Sequence, residues 1–182
     1  MQHLNYCTHI SFEEDKDILT RKNFNVSMRL FNSNSMYRNL IVNIANYIKF
    51  CAVIKKEGYP VPKGWSGANA GIPFNIIAIN NEKQNEFGES LIGEKCVSNI
   101  DVVFLNPIIT RFYGYKKQVK TNCGSLILQN KILVNRYQYI DLCYYTIDGI
   151  YKEWRKIPPF PGYIIQHEID HTLGILIQNN NE

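Results

Sequence analysis

The stretch Gln166-His167-Glu168-Ile169-Asp170-His171 sets two imidazoles four residues apart with a carboxylate between them. On a helix, residues four apart project from one face about one turn from each other, so both rings can close on one metal ion. Glu168 lies on an adjoining part of that surface, where it can reach a water at the metal without being a ligand. The chemistry such a trio performs is metal-assisted hydrolysis. The same letters also describe a helix with two partly buried or surface histidines, because H-E-x-x-H arises by chance.

A catalytic site of this kind usually takes three protein ligands and keeps one position open. No downstream source for the third is expected. Ile177 stands three residues past Gly174, where one pattern has His, and the sequence stops at Glu182 before a later helix could supply Glu. Among upstream residues, a cysteine at a sharp turn beside a strand suits a soft or borderline ion. Cys123 sits in Thr121-Asn122-Cys123-Gly124-Ser125, a tight-turn composition directly before the apolar Leu126-Ile127-Leu128. Cys96, in Glu94-Lys95-Cys96-Val97-Ser98, competes with it. Cys51 and Cys143 read as small core residues, and Cys7 lies in a polar tail.

The elements that must carry these residues fit one α+β domain over residues 1–182. At 182 residues the chain can bury a core without staples. Its net charge of +4 is mild and no run of five basic residues occurs, so no direct nucleic-acid partner is expected. No window of eighteen apolar residues suggests a membrane span. The N-terminus lacks a basic region followed by an apolar stretch, so no secretory signal is expected. Five widely spaced cysteines without a C-x-x-C pair fit a reducing, cytoplasmic compartment. The 21 asparagines, with many Ile, Lys and Tyr, look like AT-rich coding bias, which would suit a phage or another AT-rich genome.

Residues 1–35 are polar and predict loops and a short strand. Helical spacing of Leu40, Val42, Ile44, Ile48, Ala52 and Ile54 predicts a helix over 36–56, ended by Gly58 and Pro60. Strands are expected at 74–79, at 102–109 (interrupted at Asn106-Pro107), at 125–134 and at 137–147. An Asp148-Gly149 hairpin turn leads to a further strand over 151–157. The polar residues 80–100 predict a surface insertion. Pro158-Pro159-Phe160-Pro161 stops the sheet and opens the last helix, with proline in its first turn. Antiparallel or mixed strands should therefore surround a C-terminal helix bearing the His-Glu-His trio.

Three separated segments together resemble the peptide deformylases. Gln166-His167-Glu168-Ile169-Asp170-His171, followed by Gly174, is similar to that family's Q-H-E-x-D-H-x-x-G. Gly64-Trp65-Ser66-Gly67-Ala68-Asn69-Ala70-Gly71 resembles its G-x-A-A-x-Q-x-G, with Asn69 in place of Gln. Asn106-Pro107-Ile108-Ile109 matches its N-P-x-I strand. Its cysteine motif, E-G-C-L-S, is spelled more closely around Cys96. The family's order places the cysteine after N-P-x-I, and only Cys123 obeys it, with Thr121 and Gly124 replacing Glu and Leu.

The resemblance implies a hydrolase that removes the N-formyl group from formyl-methionine at the start of new proteins. Cys123, His167 and His171 would hold one divalent metal, ferrous iron in the cell, with zinc, nickel or cobalt also tolerated. Glu168 would be the general acid–base, with Gly124 N–H and the Asn69 amide as donors to the developing oxygen charge. Gly64 would contact the substrate backbone. Phe160, Tyr163 and Ile164 would line the methionine pocket, although each equally suits ordinary core packing. The partners implied are N-formylmethionyl peptides and nascent chains near the ribosome. A weakened, metal-stabilised binding module, or an amidase of another substrate class, would use the same helix.

Overall fold

The computed structural model of the chain describes residues 16–53, 62–80, 102–121, 123 and 132–177. In chain order these form α1 (Lys16–Leu19), α2 (Met28–Ser33), α3 (Ser35–Val53), β1 (Gly64–Ser66), a 3-10 turn (Ala68–Ala70), β2 (Ile76–Ile79), β3 (Val103–Thr121), β4 (Ile132–Tyr145), β5 (Tyr151–Ile157) and α4 (Pro159–Thr172). The five strands make one sheet in sequence order, every pair antiparallel. No helix of the described residues is long and apolar enough to cross a membrane.

Two apolar layers cover the sheet. On α3 the buried stripe is Ile41, Ala45, Ile48 and Ala52, steps of four, three and four that keep one face inward. It packs with Phe31, Trp65, Ile76, Ala78 and Leu105. Truncating a fully buried ring such as Phe31 to Ala costs about 3–5 kcal/mol. Against α4, Ile165 and Ile169 meet Ile77, Ile79, Phe104, Ile140, Leu142 and Ile157. Ile76 and Ile77 thus face opposite layers, as pleating requires, and the interior strand β2 is apolar at every position.

Several expectations need correction. The segment before residue 35 holds two short helices, α1 and α2. Ser27 caps α2 by accepting from Leu30 N. The α3 face is centred on Ile41 and Ala45; Leu40 is half exposed, because the next turn turns it away from the sheet. The strand expected over 102–109 runs on to Thr121. Asn106 does not end it: its backbone adopts a positive φ of 51° within a register shift, while its side chain bridges Val26 N and Val26 O. Residues 132–134 and 137–145 are one strand, β4, since pairing with β3 continues across Asn135 and Arg136. Ile54, Gly58, Pro60, residues 81–100 of the expected insertion, and 125–131 of the expected strand lie outside the described residues.

The expected hairpin turn and the proline-led last helix are present. Gly149, at φ 84°, closes the hairpin between β4 and β5, with Gly149 N donating to Thr146 O. Proline occupies the first turn of α4. Gly174 ends the helical run at φ 75°, where a Cβ would also strike the Thr20 carbonyl. The chain then turns back, so that Leu176 packs on Leu19 and Ile177 joins Cys123 and Val134.

Candidate metal centre

Helix α4 is pinned to β4 before any ligand is considered. Gln166 Nε2 donates to Tyr137 O (3.0 Å), and its Oε1 accepts from Tyr137 N (3.1 Å). One turn on, Arg136 and Asp170 form an ion pair of 2.5 Å, both side chains largely buried. These two clamps fix the rotation of the helix, and with it the direction of His167 and His171.

Cys123 follows β3 by two residues and is buried against Val134 and Ile177. Its Sγ lies 3.2 Å from His171 Nε2, which in turn lies 3.2 Å from His167 Nε2. All three donor atoms fall within 4.8 Å of one another. A tetrahedral ion with a bond of about 2.3 Å to sulfur and about 2.0–2.1 Å to nitrogen separates its donors by roughly 3.4–3.6 Å. The three residues fit such an ion, and one thiolate with two imidazoles is a borderline-soft donor set.

The electrostatics suit the same purpose. Burial pushes His167 well below the usual imidazole range, with His171 and Arg136 adding to it. Burial, helped by Arg136, takes His171 down to about 4. Both rings are therefore neutral near pH 7 and able to ligate. Burial likewise raises the Glu168 carboxyl to about 8, with Asp170 pushing the same way and Arg136 opposing. Glu168 Oε2 and His171 Nδ1 are buried and have no hydrogen-bond partner among the described residues. An unsatisfied buried carboxyl oxygen beside a metal cradle marks a place for a water or a substrate group.

Strand β1 runs along the stripe of α4 that bears these groups. A Cβ on Gly64 would stand 2.7 Å from Ile164 Cγ2 and 2.8 Å from Glu168 Oε1, so glycine is what lets the strand come this close. Lys63 Nζ lies 5.0 Å from the centre of the Phe160 ring, which is 42% exposed at the start of the helix. Phe160, Ile164 and Glu168 follow at four-residue intervals. Tyr163 is half buried one turn before His167, and its hydroxyl pKa is raised by burial, then by Tyr115 and Tyr139. Asn69 is buried in the 3-10 turn, its Oδ1 accepting from Ser66 N at 3.3 Å and from the Ser66 hydroxyl.

The structure thus brings Cys123, His167 and His171 together and sets Glu168, Gly64 and Ile164 beside them. Cys143 lies on the far face of β4, away from the trio. Gly124 and Cys96 lie outside the described residues. Sequence reasoning gave no role to Arg136, Gln166 or Asp170. Gln166 and Asp170 stand in the resembled motif, but what they hold shows only once β4 packs against the helix.

Fold and site define a class: single-domain α+β proteins with His-Glu-x-x-His on a C-terminal helix and a cysteine from the sheet as third donor. The polypeptide deformylase sequence profile matches residues 14–181, and the chain belongs to that family. It is 38% identical over 84 residues to the peptide deformylase of Karelsulcia muelleri (strain GWSS). That match spans 43% of this chain and 40% of the relative, less than half of either. Solved structures share the fold. The class I type b peptide deformylase of Acinetobacter baumannii bound to Met-Ala-Ser superposes with a TM-score of 0.70 at 24% identity, covering 90% of this chain and 92% of that one. The deformylase of the Vibrio parahaemolyticus bacteriophage VP16T, bound to actinonin, gives 0.60 at 18% identity over 88% and 93%.

Proposed function

We propose that the protein hydrolyses the N-formyl group of formyl-methionyl peptides, with Cys123, His167 and His171 holding one divalent metal. The observation that carries this is the convergence of Sγ and two Nε2 atoms beside a buried carboxyl with one unsatisfied oxygen. An ion held there supplies a Lewis acid and brings the pKa of water from near 16 toward ~7.

The protein's own groups do the rest. With a cation beside it the Glu168 carboxyl would be ionised, and it would take a proton from the attacking water at Oε2 as oxygen adds to the formyl carbon. It then delivers that proton to the amine nitrogen as the C–N bond breaks, leaving formate and a free amino terminus. Ser66 anchors the oxygen of the Asn69 amide, which orients the donor end of that amide toward the formyl oxygen. Gly124 N–H is the second donor. Losing one such donor costs about 3 kcal/mol of transition-state stabilisation. Gly64 lets the substrate backbone lie along β1, and Phe160, Tyr163 and Ile164 receive the methionine side chain.

The fitting compartment is the cytoplasm, where nascent chains leave the ribosome, and ferrous iron is the cellular metal. Zinc, nickel and cobalt suit the same donors. The test is formate release from formyl-Met-Ala-Ser by protein purified anaerobically and assayed for metal. One metal per chain with formate release is the expected result. One metal without formate release would leave only a metal-stabilised module.

A further inference from the structure

Strand pairing assembles a basic, aromatic surface that no linear run of sequence reveals. Residues 103–157 hold nine Lys and Arg against three Asp and Glu, a net +6 in a chain whose total is +4, so the remainder is net acidic. Ile140, Leu142 and Tyr144 of β4 point into the core, so the intervening Asn135, Tyr137, Tyr139, Asp141 and Cys143 alternate to the other side, with Tyr137 still packing partly against that core. Their partners on β3 share that side: Arg111 opposite Asp141, Tyr113 opposite Tyr139, Lys116 opposite Tyr137, Gln118 opposite Asn135 and Lys120 opposite Leu133.

On this face cations and rings are interleaved. Arg111 lies over Tyr113 (5.7 Å to the ring centre), Lys116 over Tyr137 (5.7 Å) and Lys156 over Tyr139 (5.9 Å). Phe112, opposite Ile140 and so on the other side of the ribbon, is 48% exposed and stands 4.6 Å from Tyr137. The two acidic groups of the face are already engaged. Asp141 accepts from the Tyr113 hydroxyl (2.5 Å) and Lys156 N (2.7 Å), and Glu153 pairs with Arg155 (2.9 Å). Among the described residues, no carboxylate pairs with Lys116 or Lys120. The ribbon from Phe112 to Thr121 on β3 lies beyond β2 and β5 pairing, so among the described residues only β4 pairs with it.

We infer that the outer face of β3, β4 and β5 binds single-stranded RNA. Lysines alone would serve an acidic protein or an anionic membrane. A sheet surface that sets them beside aromatic rings fits phosphates and unstacked bases together. The opposed amides of Gln118 and Asn135, which both donate and accept, suit a ribose 2′-hydroxyl.

The test is fluorescence anisotropy of the full chain with a labelled single-stranded RNA of about 12 nucleotides. Single-stranded DNA of the same sequence, duplex RNA, heparin and anionic vesicles serve as competitors. Phosphate contacts from Arg111, Lys116, Lys120 and Lys156 predict a slope of log K against log salt of about −3 for a single strand. The K116E/K120E double variant should weaken binding at least tenfold and bring that slope toward about −1.5. R29E/K49E, the same charge change on exposed helix positions, should leave binding unaltered. Tyr139→Leu should cost about tenfold through lost stacking. Unchanged melting and formate release in K116E/K120E exclude misfolding. The inference is overturned by no RNA binding at about 0.1 M salt, by equal affinity for DNA, duplex RNA, heparin or vesicles, or by equal loss in R29E/K49E. Absent formate release with intact RNA binding would overturn the hydrolase proposal and spare this one.

Discussion

A side chain on Gly64 would collide with Glu168: its Cβ would stand 2.8 Å from Oε1 and 2.9 Å from Cγ of that residue. Strand β1 and helix α4 therefore meet at a glycine and a carboxyl, each holding the other's position. Gly64→Ala must move the proton-transferring group or the strand. Misplacement of a catalytic group by about 1 Å can cost on the order of 100-fold in rate. Formate release by Gly64→Ala should fall by that order while metal content, measured by plasma emission, stays at the parent value. Loss of the metal as well would mean that the glycine shapes the helix and not the carboxyl.

Glu168 is assigned to move a proton and not to hold the ion. Glu168→Ala should retain one metal per chain and lose turnover by about 10²- to 10⁴-fold. A variant as active as the parent would remove the acid–base role.

The three cysteines among the described residues should respond differently to substitution. Changing a group that merely orients a metal ligand weakens metal affinity about 10- to 100-fold, so removing a ligand should exceed that. Cys123→Ser is expected to weaken metal binding more than 100-fold in chelator competition. Cys51→Ser and Cys143→Ser should not. Cys96→Ser is expected to behave as they do.

Arg136 and Asp170 form a buried pair, and breaking it leaves one charge uncompensated. Arg136→Met should destabilise the protein by about 3–5 kcal/mol in urea unfolding. It should also lower metal affinity, because the helix clamp loosens beside His171. The double variant Arg136→Met/Asp170→Leu should recover most of the stability.

Asp141 gives a pH test separate from the metal. The Tyr113 hydroxyl, then Lys156 N, hold its carboxyl below the usual carboxylate range. The unfolded chain therefore binds the proton more readily than the folded one. The stabilisation is present above the unfolded value, near pH 4, and is lost as pH falls through the folded value. Asp141→Asn should narrow the difference in Tm between pH 7 and pH 3. An unchanged difference would mean that the carboxylate contributes nothing on folding.

Much of this was legible where local chemistry decides structure. The spacing of His167 and His171, the prolines before α4 and the Asp148-Gly149 turn each signal through a rule that acts over a few residues. Cys123 could be preferred over Cys96 by order along the chain, because a ligand must arrive from the strand that faces the helix. What escaped depends on tertiary pairing. The polar stretch Arg111–Thr121 has no apolar alternation, yet β4 holds it as strand by backbone hydrogen bonds and a bulge. The two clamps on α4 escaped because Gln166 and Asp170 look like solvent-facing helix residues until β4 covers them. The short helices before residue 35 are held by distant partners: Phe31 packs in the α3 core and Leu19 against Leu176.

The central claim is that one sulfur and two imidazoles close on a single ion, and X-ray absorption at the metal edge of the zinc-loaded protein tests it most directly. One sulfur at about 2.3 Å with nitrogen or oxygen neighbours at about 2.0–2.1 Å, two of them showing imidazole scattering, is the expected result. A shell without sulfur, or one unchanged in Cys123→Ser, would contradict it.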